Sequence, residues 1–199
     1  MSLPPRTATV ERRTSETSVR VALALDSDAP AFEGGTGIGF FDHMLDALAR
    51  HGRFGLTVEA EGDLHVDDHH TVEDVGITLG QALRQALGDK AYVARYGTAT
   101  VPMDEALARA VVDLSGRAHL TFHAQFDREQ VGDLSTDLVE HFWWSVCEHA
   151  AMTMHLDVLR GRNDHHRIEA AFKAAARALR TAVARDAAGD AVPSTKGAL

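Results

Sequence analysis

The sequence predicts an α+β fold made of two copies of one unit, each a small sheet with helices on one face. Three observations support this prediction. The pattern His-His-x-x-Glu occurs at 69–73 and again at 165–169, neighbouring segments repeat in the same order, and both halves share one succession of extended and helical patterns. We expect the first half at 1–95, the second at 96–186, and a small polar tail at 187–199.

The histidines give the register of the repeat. The segment "DHMLDALARH" at 42–51 matches "EHFWWSVCEH" at 140–149, so that one acid and two histidines coincide. After a two-residue deletion, 56–70 matches 152–166 and the two His-His pairs coincide. Eight of the twelve histidines therefore fall in four matched pairs, which we interpret as an internal duplication.

The elements that we predict follow the same order in both halves, from alternation and β-branched residues for strands and from alanine, leucine and arginine content for helices. The first half has a strand at 18–25, a helix at 41–51, a strand near 55–61 and a helix at 70–87. The second half has strands at 108–114 and 118–126, a helix at 138–150, a strand near 152–158 and a helix at 165–186. Asp68 and Asp164 are predicted N-caps, and glycine-rich 32–40 is a predicted loop.

The composition excludes several classes of protein. The chain has 199 residues, 45% hydrophobic and 25% charged, which is typical of a soluble globular protein with a sizeable core. A net charge of −9 argues against non-specific nucleic-acid binding. No apolar run approaches the ~18 residues of a membrane span, and no secretory signal is expected. Cys147 is the single cysteine, so we expect no intrachain disulfide and a reducing, cytoplasmic location.

The repeated motif points to bound metal. In His-His-x-x-Glu on a helix, the first histidine and the glutamate share one face, whereas the second histidine is turned by about 100°. Such a motif suits two metals better than one. With His43 and His141 upstream, the chain offers six histidines and two glutamates, enough for two sites of three histidines and one carboxylate. These donors suit Zn, Mn, Fe, Co or Ni, and the lack of thiolates argues against a structural zinc site of the cysteine type.

Other residues have plainer interpretations. We expect hydrogen-bonded core histidines, rather than ligands, at His65, His119, His123 and His155. We interpret Asp68 and Asp74 as partners of a helix dipole. Trp143 and Trp144 are predicted to pack in the core or against another subunit.

Segments along nearly the whole chain resemble one enzyme family. They are "RRTSETSV", "FFDHMLDALARHG", "GDLHVDDHHTVED", "VPMDEAL", "DLSGRAHL", "VEHFWWS", "NDHHRIEAAFKAAARAL" and "PSTKG". In these segments the sequence resembles imidazoleglycerol-phosphate dehydratase of histidine biosynthesis. The resemblance implies a duplicated ferredoxin-like unit and the conversion of imidazole-glycerol phosphate to imidazole-acetol phosphate and water. It also implies two Mn²⁺ per active site and an assembly of 24 subunits with active sites at subunit boundaries.

The resemblance also assigns the site residues. One manganese would take His70, His141, His165 and Glu169, and the other would take His43, His69, Glu73 and His166. Glu16 would be the acid/base for the carbon proton, and Asp104 would support the site. The phosphate would be bound by Arg95, Arg117, Ser194, Lys196, His51 and Lys173, with the tail closing over the ligand. Ala47 stands where related sequences often have glutamine, which puts one phosphate-side contact in doubt.

Two alternatives remain open from the sequence. A di-metal hydrolase of phosphate esters would also use histidine–carboxylate metal pairs to activate water. A metal-storing or scaffold protein would use the histidines only to hold subunits together. The division of the ligands into two separate sets favours the lyase over the hydrolase, and the resemblance at Glu16 and the phosphate residues argues against the scaffold.

Overall fold

The computed structural model describes residues 4–186 and Ser194. The first half contains β1 (Thr7–Arg13), β2 (Thr17–Ala24), β3 (Ala31–Gly35), α1 (Gly39–Gly52), β4 (Gly55–Gly62) and α2 (His69–Leu87). The second half contains β5 (Tyr96–Met103), β6 (Ala106–Asp113), β7 (His119–His123), β8 (Gln130–Val131), β9 (Leu134–Ser135), α3 (Leu138–Ala150), β10 (Thr153–Arg160) and α4 (Asp164–Ala182). Among these residues, no helix combines the length and hydropathy needed to cross a membrane.

The two halves have the same sheet topology. The first sheet has the strand order β1-β2-β4-β3 and the second has β5-β6-β10-β7. In each, the last strand of the order runs parallel to its neighbour and the other pairs are antiparallel. The duplicated, ferredoxin-like α+β fold that the sequence predicts is therefore confirmed. Only the second half carries the short β8–β9 ribbon, which precedes α3.

The four helices form a layer that both sheets cover. α1 and α2 pack on the first sheet, α3 and α4 pack on the second, and the halves meet through the pairs α2–α3 and α1–α4. Alternate residues of β2, such as Val19 and Val21, point into this core. In α4 nearly every alanine is fully buried, so the helix backbone lies close to the strands beneath it. At Gly97 on β5, a Cβ would overlap the carbonyl oxygen of Ala178.

Glycines also allow α2 and α3 to approach closely. A Cβ at Gly76 would lie 3.0 Å from the carbonyl oxygen of Phe142, and one at Gly80 would lie 2.7 Å from that of Val146. The order of these contacts shows that α2 and α3 run in the same direction, so their N-terminal ends lie together. The small side chains of α2 therefore determine where the first turns of both helices meet.

Five strands are missing from the sequence-based prediction, namely β1, β3, β5 and the short β8 and β9. The sequence analysis predicts neither β1 nor β5, and its loop at 32–40 is wrong because Ala31–Gly35 forms β3, parallel to β4. Glycine lowers strand propensity, and an edge strand needs a partner on one side only. The pairing with β4, a contact distant in sequence, outweighs the local preference for a loop.

Asp68 occupies the predicted N-cap position of α2, whereas the prediction for Asp164 is wrong. The Asp68 carboxylate makes no capping bond and accepts hydrogen bonds from the backbone N–H and the Oγ–H of Ser135, at 2.6 and 2.9 Å. Asp164 lies inside α4, and its carboxylate accepts the backbone N–H groups of Asp127 and Arg128, each at 2.9 Å. Asn163 is the cap of α4. Both acids instead hold the segment 127–135 against the starts of α2 and α4.

We predict that Gly80→Ala destabilises the fold. The added methyl group would meet the backbone of α3, which cannot move without displacing the second sheet. The better helix propensity of alanine raises the free energy of unfolding by about 1 kcal/mol. Overpacking of the contact lowers it by roughly 1–3 kcal/mol or more. We therefore expect the free energy of unfolding to fall by about 1 kcal/mol in a urea titration. Arg84→Ala, an exposed change on the same helix, is the control, and equal stability of both variants would contradict the close approach.

Candidate metal centre

All eight predicted metal ligands lie in the first two turns of the four helices. They are His43 of α1, His69, His70 and Glu73 of α2, His141 of α3, and His165, His166 and Glu169 of α4. Because the packed helices run in the same direction, the start of α2 lies beside that of α3, and the start of α1 beside that of α4. Six of the eight therefore come together in two groups of three, each with members from both halves of the chain.

The first group, the α2–α3 cluster, consists of His69, Glu73 and His141. One ligand atom of each residue lies within 4.8 Å of the others. The Nε2 atom of His141 is 3.0 Å from Oε1 of Glu73, and the imidazole centroids of His69 and His141 are 4.8 Å apart. All three side chains are partly exposed, so an ion could reach them from solvent.

The second group, the α1–α4 cluster, consists of His43, His165 and Glu169. The Oε2 atom of Glu169 lies 3.0 Å from Nε2 of His165 and 3.4 Å from Nε2 of His43. Its other oxygen, Oε1, lies 2.5 Å from Nζ of Lys173, one helical turn further along α4. Burial opposes ionisation of Glu169, but Lys173 and His165 outweigh it and lower the pKa of the carboxyl group. The carboxylate is thus charged and ready to ligate.

The clusters differ in one respect from the sets that the resemblance implies. His141 was expected with His165 and Glu169, and His43 with His69 and Glu73, whereas within one chain the structure exchanges the two. The cause is helix packing, since α3 carries His141 and lies against α2, while α1 carries His43 and lies against α4. The pairing of each first histidine with its own glutamate agrees with the helical spacing.

The second histidine of each motif points away from its cluster, as the 100° rotation predicts. Nδ1 of His70 lies 3.0 and 3.2 Å from the two carboxylate oxygens of Asp63. Nδ1 of His166 lies 2.7 Å from Oε2 of Glu105. Their hydrogen bonds to Asp63 and Glu105, respectively, raise the pKa of both imidazoles.

The proposed acid/base residues stand beside these second histidines. Glu16 lies in the β1–β2 turn, with Oε2 at 3.8 Å from Nδ1 of His70 and about half of its side chain exposed. Asp104 lies in the β5–β6 turn, with Oδ2 at 3.7 Å from Nε2 of His166. The two turns are equivalent in the two sheets. Each half therefore presents an exposed carboxylate next to its second histidine.

Two of the predicted phosphate ligands lie on the helices of the α1–α4 cluster. His51 ends α1 and faces α4, where burial and the nearby charges of Lys173 and Arg177 lower the pKa of its imidazole. Lys173 contacts Glu169 directly. Lys173 is therefore beside the metal ligands of its own chain, and His51 lies about 12 Å further along α1 than His43.

Arg95 and Arg117 lie at the other end of the second sheet. Arg95 pairs with Asp113, with Nε 2.7 Å from Oδ1, and its backbone N–H donates to Ala182 O at the end of α4. The helical rise of 1.5 Å per residue puts this end of α4 about 25 Å from His165. Arg117 also lies at this end, where its carbonyl oxygen accepts from Oγ1 of Thr153 at 3.3 Å. Within one chain, neither arginine shares a site with the α1–α4 cluster.

The remaining predictions concern the tail and single positions. Lys196 and nearly all of the tail at 187–199 lie outside the described residues, and Ser194 is partly buried. Ala47, at the position where related sequences often have glutamine, is 6% exposed within α1, so its methyl group belongs to the core.

The plainer interpretations have mixed outcomes. Trp143 is fully buried, as predicted, whereas Trp144 is 46% exposed. The predicted core histidines are wrong, because His65, His119, His123 and His155 are all exposed. Three of these four occupy the outer face of the second sheet, on β7 and β10.

The sequence reasoning missed the residues that hold the site together. Asp63 and Glu105 contact the second histidines, and the Asp133 carboxylate accepts the backbone N–H groups of Gly39 and Phe40 at the start of α1, at 2.7 and 2.9 Å. Asp63 lies in the acid-rich "GDLHVDDHH" and Glu105 follows Asp104, so local density of acids was a usable signal. Nothing local in the sequence marks Asp133, because its partners are more than ninety residues away.

The donors of both clusters fit a divalent transition metal. Two imidazoles and one carboxylate are ligands that Mn, Fe, Co, Ni and Zn accept. Helix N-termini carry partial positive charge and would repel a cation. The carboxylates of Glu73 and Glu169 offset this repulsion, because each lies among the imidazoles of its cluster.

Comparisons with known proteins show the family of the chain. A model of the imidazoleglycerol-phosphate dehydratase family matches residues 36–179. The chain is 65% identical over 198 residues to the imidazoleglycerol-phosphate dehydratase of Salinibacter ruber, covering 100% of this chain and 98% of that protein. It is 60% identical over 195 residues to that of Halorhodospira halophila, covering 98% of each.

Solved structures show the same fold. The crystal structure of imidazoleglycerol-phosphate dehydratase from Staphylococcus aureus has a TM-score of 0.81 and 42% identity, covering 90% of this chain and 99% of that one. The structure from Pyrococcus furiosus, in complex with (S)-C348, has a TM-score of 0.82 and 35% identity, covering 96% and 100%. By its sequence and its fold, the chain belongs to the imidazoleglycerol-phosphate dehydratase family, the hydro-lyases of histidine biosynthesis.

Proposed function

We propose that this chain converts imidazole-glycerol phosphate to imidazole-acetol phosphate and water, using two Mn²⁺ per active site. The observation that carries the proposal is the pair of histidine–glutamate clusters at the starts of four helices, in a chain 65% identical to a dehydratase of that name. When bound, the metals would act as Lewis acids toward nitrogen and oxygen atoms of the substrate. Proton transfer and binding of the phosphate must come from the side chains around them.

Each cluster needs a further protein ligand to reach four. In one chain it has two imidazoles and one carboxylate, while the second histidine of each motif faces away. We propose that His70 completes the α1–α4 cluster of another subunit and that His166 completes an α2–α3 cluster in the same way. Octahedral Mn²⁺ with four protein ligands keeps two positions for the substrate.

The same geometry supports a proposal of self-association. A ligand that faces out of its own chain is useful only when a second chain presents an incomplete cluster. The position of Arg95, about 25 Å along α4 from His165, gives the same indication for the phosphate end of the site. We propose an assembly of 24 subunits, in which Arg95, Arg117, Ser194 and Lys196 bind the phosphate of a substrate held by another chain's metals.

Glu16 is the proposed acid/base for the carbon proton. Loss of the hydroxyl group from the carbon attached to the ring, and of the proton from the next carbon, gives an enol that becomes the ketone by proton transfer. A carboxylate suits the proton removal if it is exposed to substrate and held in place. Glu16 meets this requirement, since its side chain is about half exposed and its backbone N–H donates to Oγ1 of Thr14 at 3.1 Å. Asp104 is proposed to support the site from the equivalent turn.

The arrangement of the glutamates disfavours a phosphate-ester hydrolase. A hydrolase with two metals ~4 Å apart usually shares a carboxylate between them. Here Glu73 serves only the α2–α3 cluster and Glu169 only the α1–α4 cluster. A scaffold without turnover would leave the exposed carboxylate of Glu16, beside His70, without a use.

We also propose a cytoplasmic location. The single cysteine, Cys147, is buried and free, and burial raises the pKa of its thiol to about 12. Oxidising compartments favour proteins with disulfide bonds. This chain has one thiol, packed in the core, and so forms no intrachain disulfide.

Metal removal tests the proposed function directly. We expect protein treated with a chelator to form no ketone from imidazole-glycerol phosphate. Added Mn²⁺ should restore turnover, because the histidine and glutamate side chains of both clusters remain in place to bind it again. The His165→Ala variant, which removes a ligand of the α1–α4 cluster, is expected to stay inactive after Mn²⁺ is added. Full turnover by the metal-free protein, or none by protein with measured bound Mn²⁺, would contradict the proposal.

The Glu16→Gln variant tests the proton step. We expect kcat to fall by about 10³-fold, within the usual range for loss of an acid/base group, while Mn²⁺ content stays at two per subunit. Glu11→Gln is the matched control, because Glu11 is an exposed acid on β1 whose partner is Arg20. A loss of less than tenfold in kcat for Glu16→Gln would remove Glu16 from the chemistry.

A further inference from the structure

The Glu105 carboxylate makes three short contacts, one of them to His166. Its Oε2 atom lies 2.7 Å from Nδ1 of the imidazole. Its Oε1 atom accepts the backbone N–H groups of Arg162 and Asn163, at 2.9 and 2.8 Å. The carboxylate therefore connects the β5–β6 turn to the chain just before α4, and it has little freedom to leave the imidazole.

Asp63 holds His70 in the equivalent way. Both of its carboxylate oxygens approach Nδ1, at 3.0 and 3.2 Å, and its side chain is only 16% exposed. Its carbonyl oxygen accepts the backbone N–H of Val66 at 2.7 Å, which closes the turn after β4. The acid is thus part of a rigid turn and not a mobile surface group.

These contacts determine which imidazole nitrogen is free. A carboxylate only accepts, so Nδ1 must donate, and in the neutral ring the lone pair is then on Nε2. Among the described residues, none forms a hydrogen bond with Nε2 of His70, and only Asp104 lies near Nε2 of His166, at 3.7 Å. The other four predicted histidine ligands have no carboxylate at Nδ1 within the described part of the chain.

The two acids come from different elements of the repeat. Asp63 follows β4, and the residue that matches it in the second half is Leu159. Glu105 lies in the β5–β6 turn, whose counterpart in the first half is the β1–β2 turn. In the first half the acid of the equivalent turn, Glu16, lies 3.8 Å from Nδ1 of His70, and Asp63 makes the hydrogen bond that Glu105 makes in the second half.

We propose that Asp63 and Glu105 are positioning residues that set the tautomer and direction of His70 and His166, so that Nε2 is presented to the metal of a neighbouring subunit. This inference rests on the proposed function. Metal-bound histidines usually donate their other N–H to a carboxylate or carbonyl, and loss of that partner weakens metal binding by about 10–100-fold. Neither acid has to touch the ion or the substrate.

The Glu105→Gln variant separates this role from a structural one. The glutamine oxygen can still accept the N–H groups of Arg162 and Asn163, but its NH₂ group then faces Nδ1 of His166. Nδ1 must become the acceptor, which moves the proton to Nε2 and removes the lone pair offered to the metal. We expect the tautomer of one imidazole to change in solid-state NMR of the ¹⁵N-histidine-labelled, metal-free assembly, and Mn²⁺ affinity at half of the sites to fall about 10–100-fold.

The Asp63→Ala variant, which removes the acceptor at Nδ1 of His70, is expected to lower Mn²⁺ affinity at the other half of the sites in the same range, and Asp46→Ala is the matched control. Asp46 is an acid paired with Arg50 within α1, so the control removes one charge without touching an imidazole. Unchanged tautomers, or Mn²⁺ affinity within twofold of the wild type in both site variants, would overturn the proposal. Wild-type protein that binds no Mn²⁺ would instead overturn the metal centre itself, and the proposal with it, even if the tautomers shift.

Discussion

The close, parallel packing of helices from opposite halves is the constraint on which the rest of the structure depends. α2 can lie against α3 only because Gly76 and Gly80 have no side chain at the contact. This packing places the first turns of the two helices together, and α1 and α4 meet in the same manner. The His-His-x-x-Glu motif lies at one helix start in each half. The packing brings a histidine of the other half beside each copy, so that two clusters form.

Carboxylates hold these helix starts in place. Asp68, Asp133 and Asp164 all bridge the segment 127–135 to the beginning of a helix. Four positive helix ends facing the same region would repel one another and any bound cation. Placing acids both among the ligands and behind them lowers this cost.

Much of the fold could be predicted from the sequence because the duplication is visible in the histidines. The helices and the central strands carry strong periodic patterns, and the spacing of His165 and Glu169 leads directly to a shared helix face. Among the edge strands of the two larger sheets, the sequence predicts only β7; β3, for example, contains Gly34 and Gly35 and is stabilised by pairing with β4. Local preference and tertiary context conflict at such positions.

The details of the site depend on contacts that are distant in sequence. Which cluster His43 or His141 joins is decided by which helices pack, and one chain's sequence does not contain that information locally. The same holds for Asp68 and Asp164, whose positions suit helix caps but whose side chains bind the segment 127–135. Helical spacing predicted that His70 and His166 would point away, but not that Asp63 and Glu105 would hold them.

The central claim is that each cluster is completed by a histidine of another chain. Mixing metal-free His70→Ala subunits with metal-free His165→Ala subunits, and then adding Mn²⁺, tests it most directly. Each variant alone should be inactive, because the first lacks the donated histidine and the second lacks a ligand of the α1–α4 cluster. If subunits exchange ligands, an equal mixture should recover about a quarter of wild-type turnover, since half of the clusters and half of the donors are intact. No recovery from an assembled mixture that binds Mn²⁺ would contradict the account.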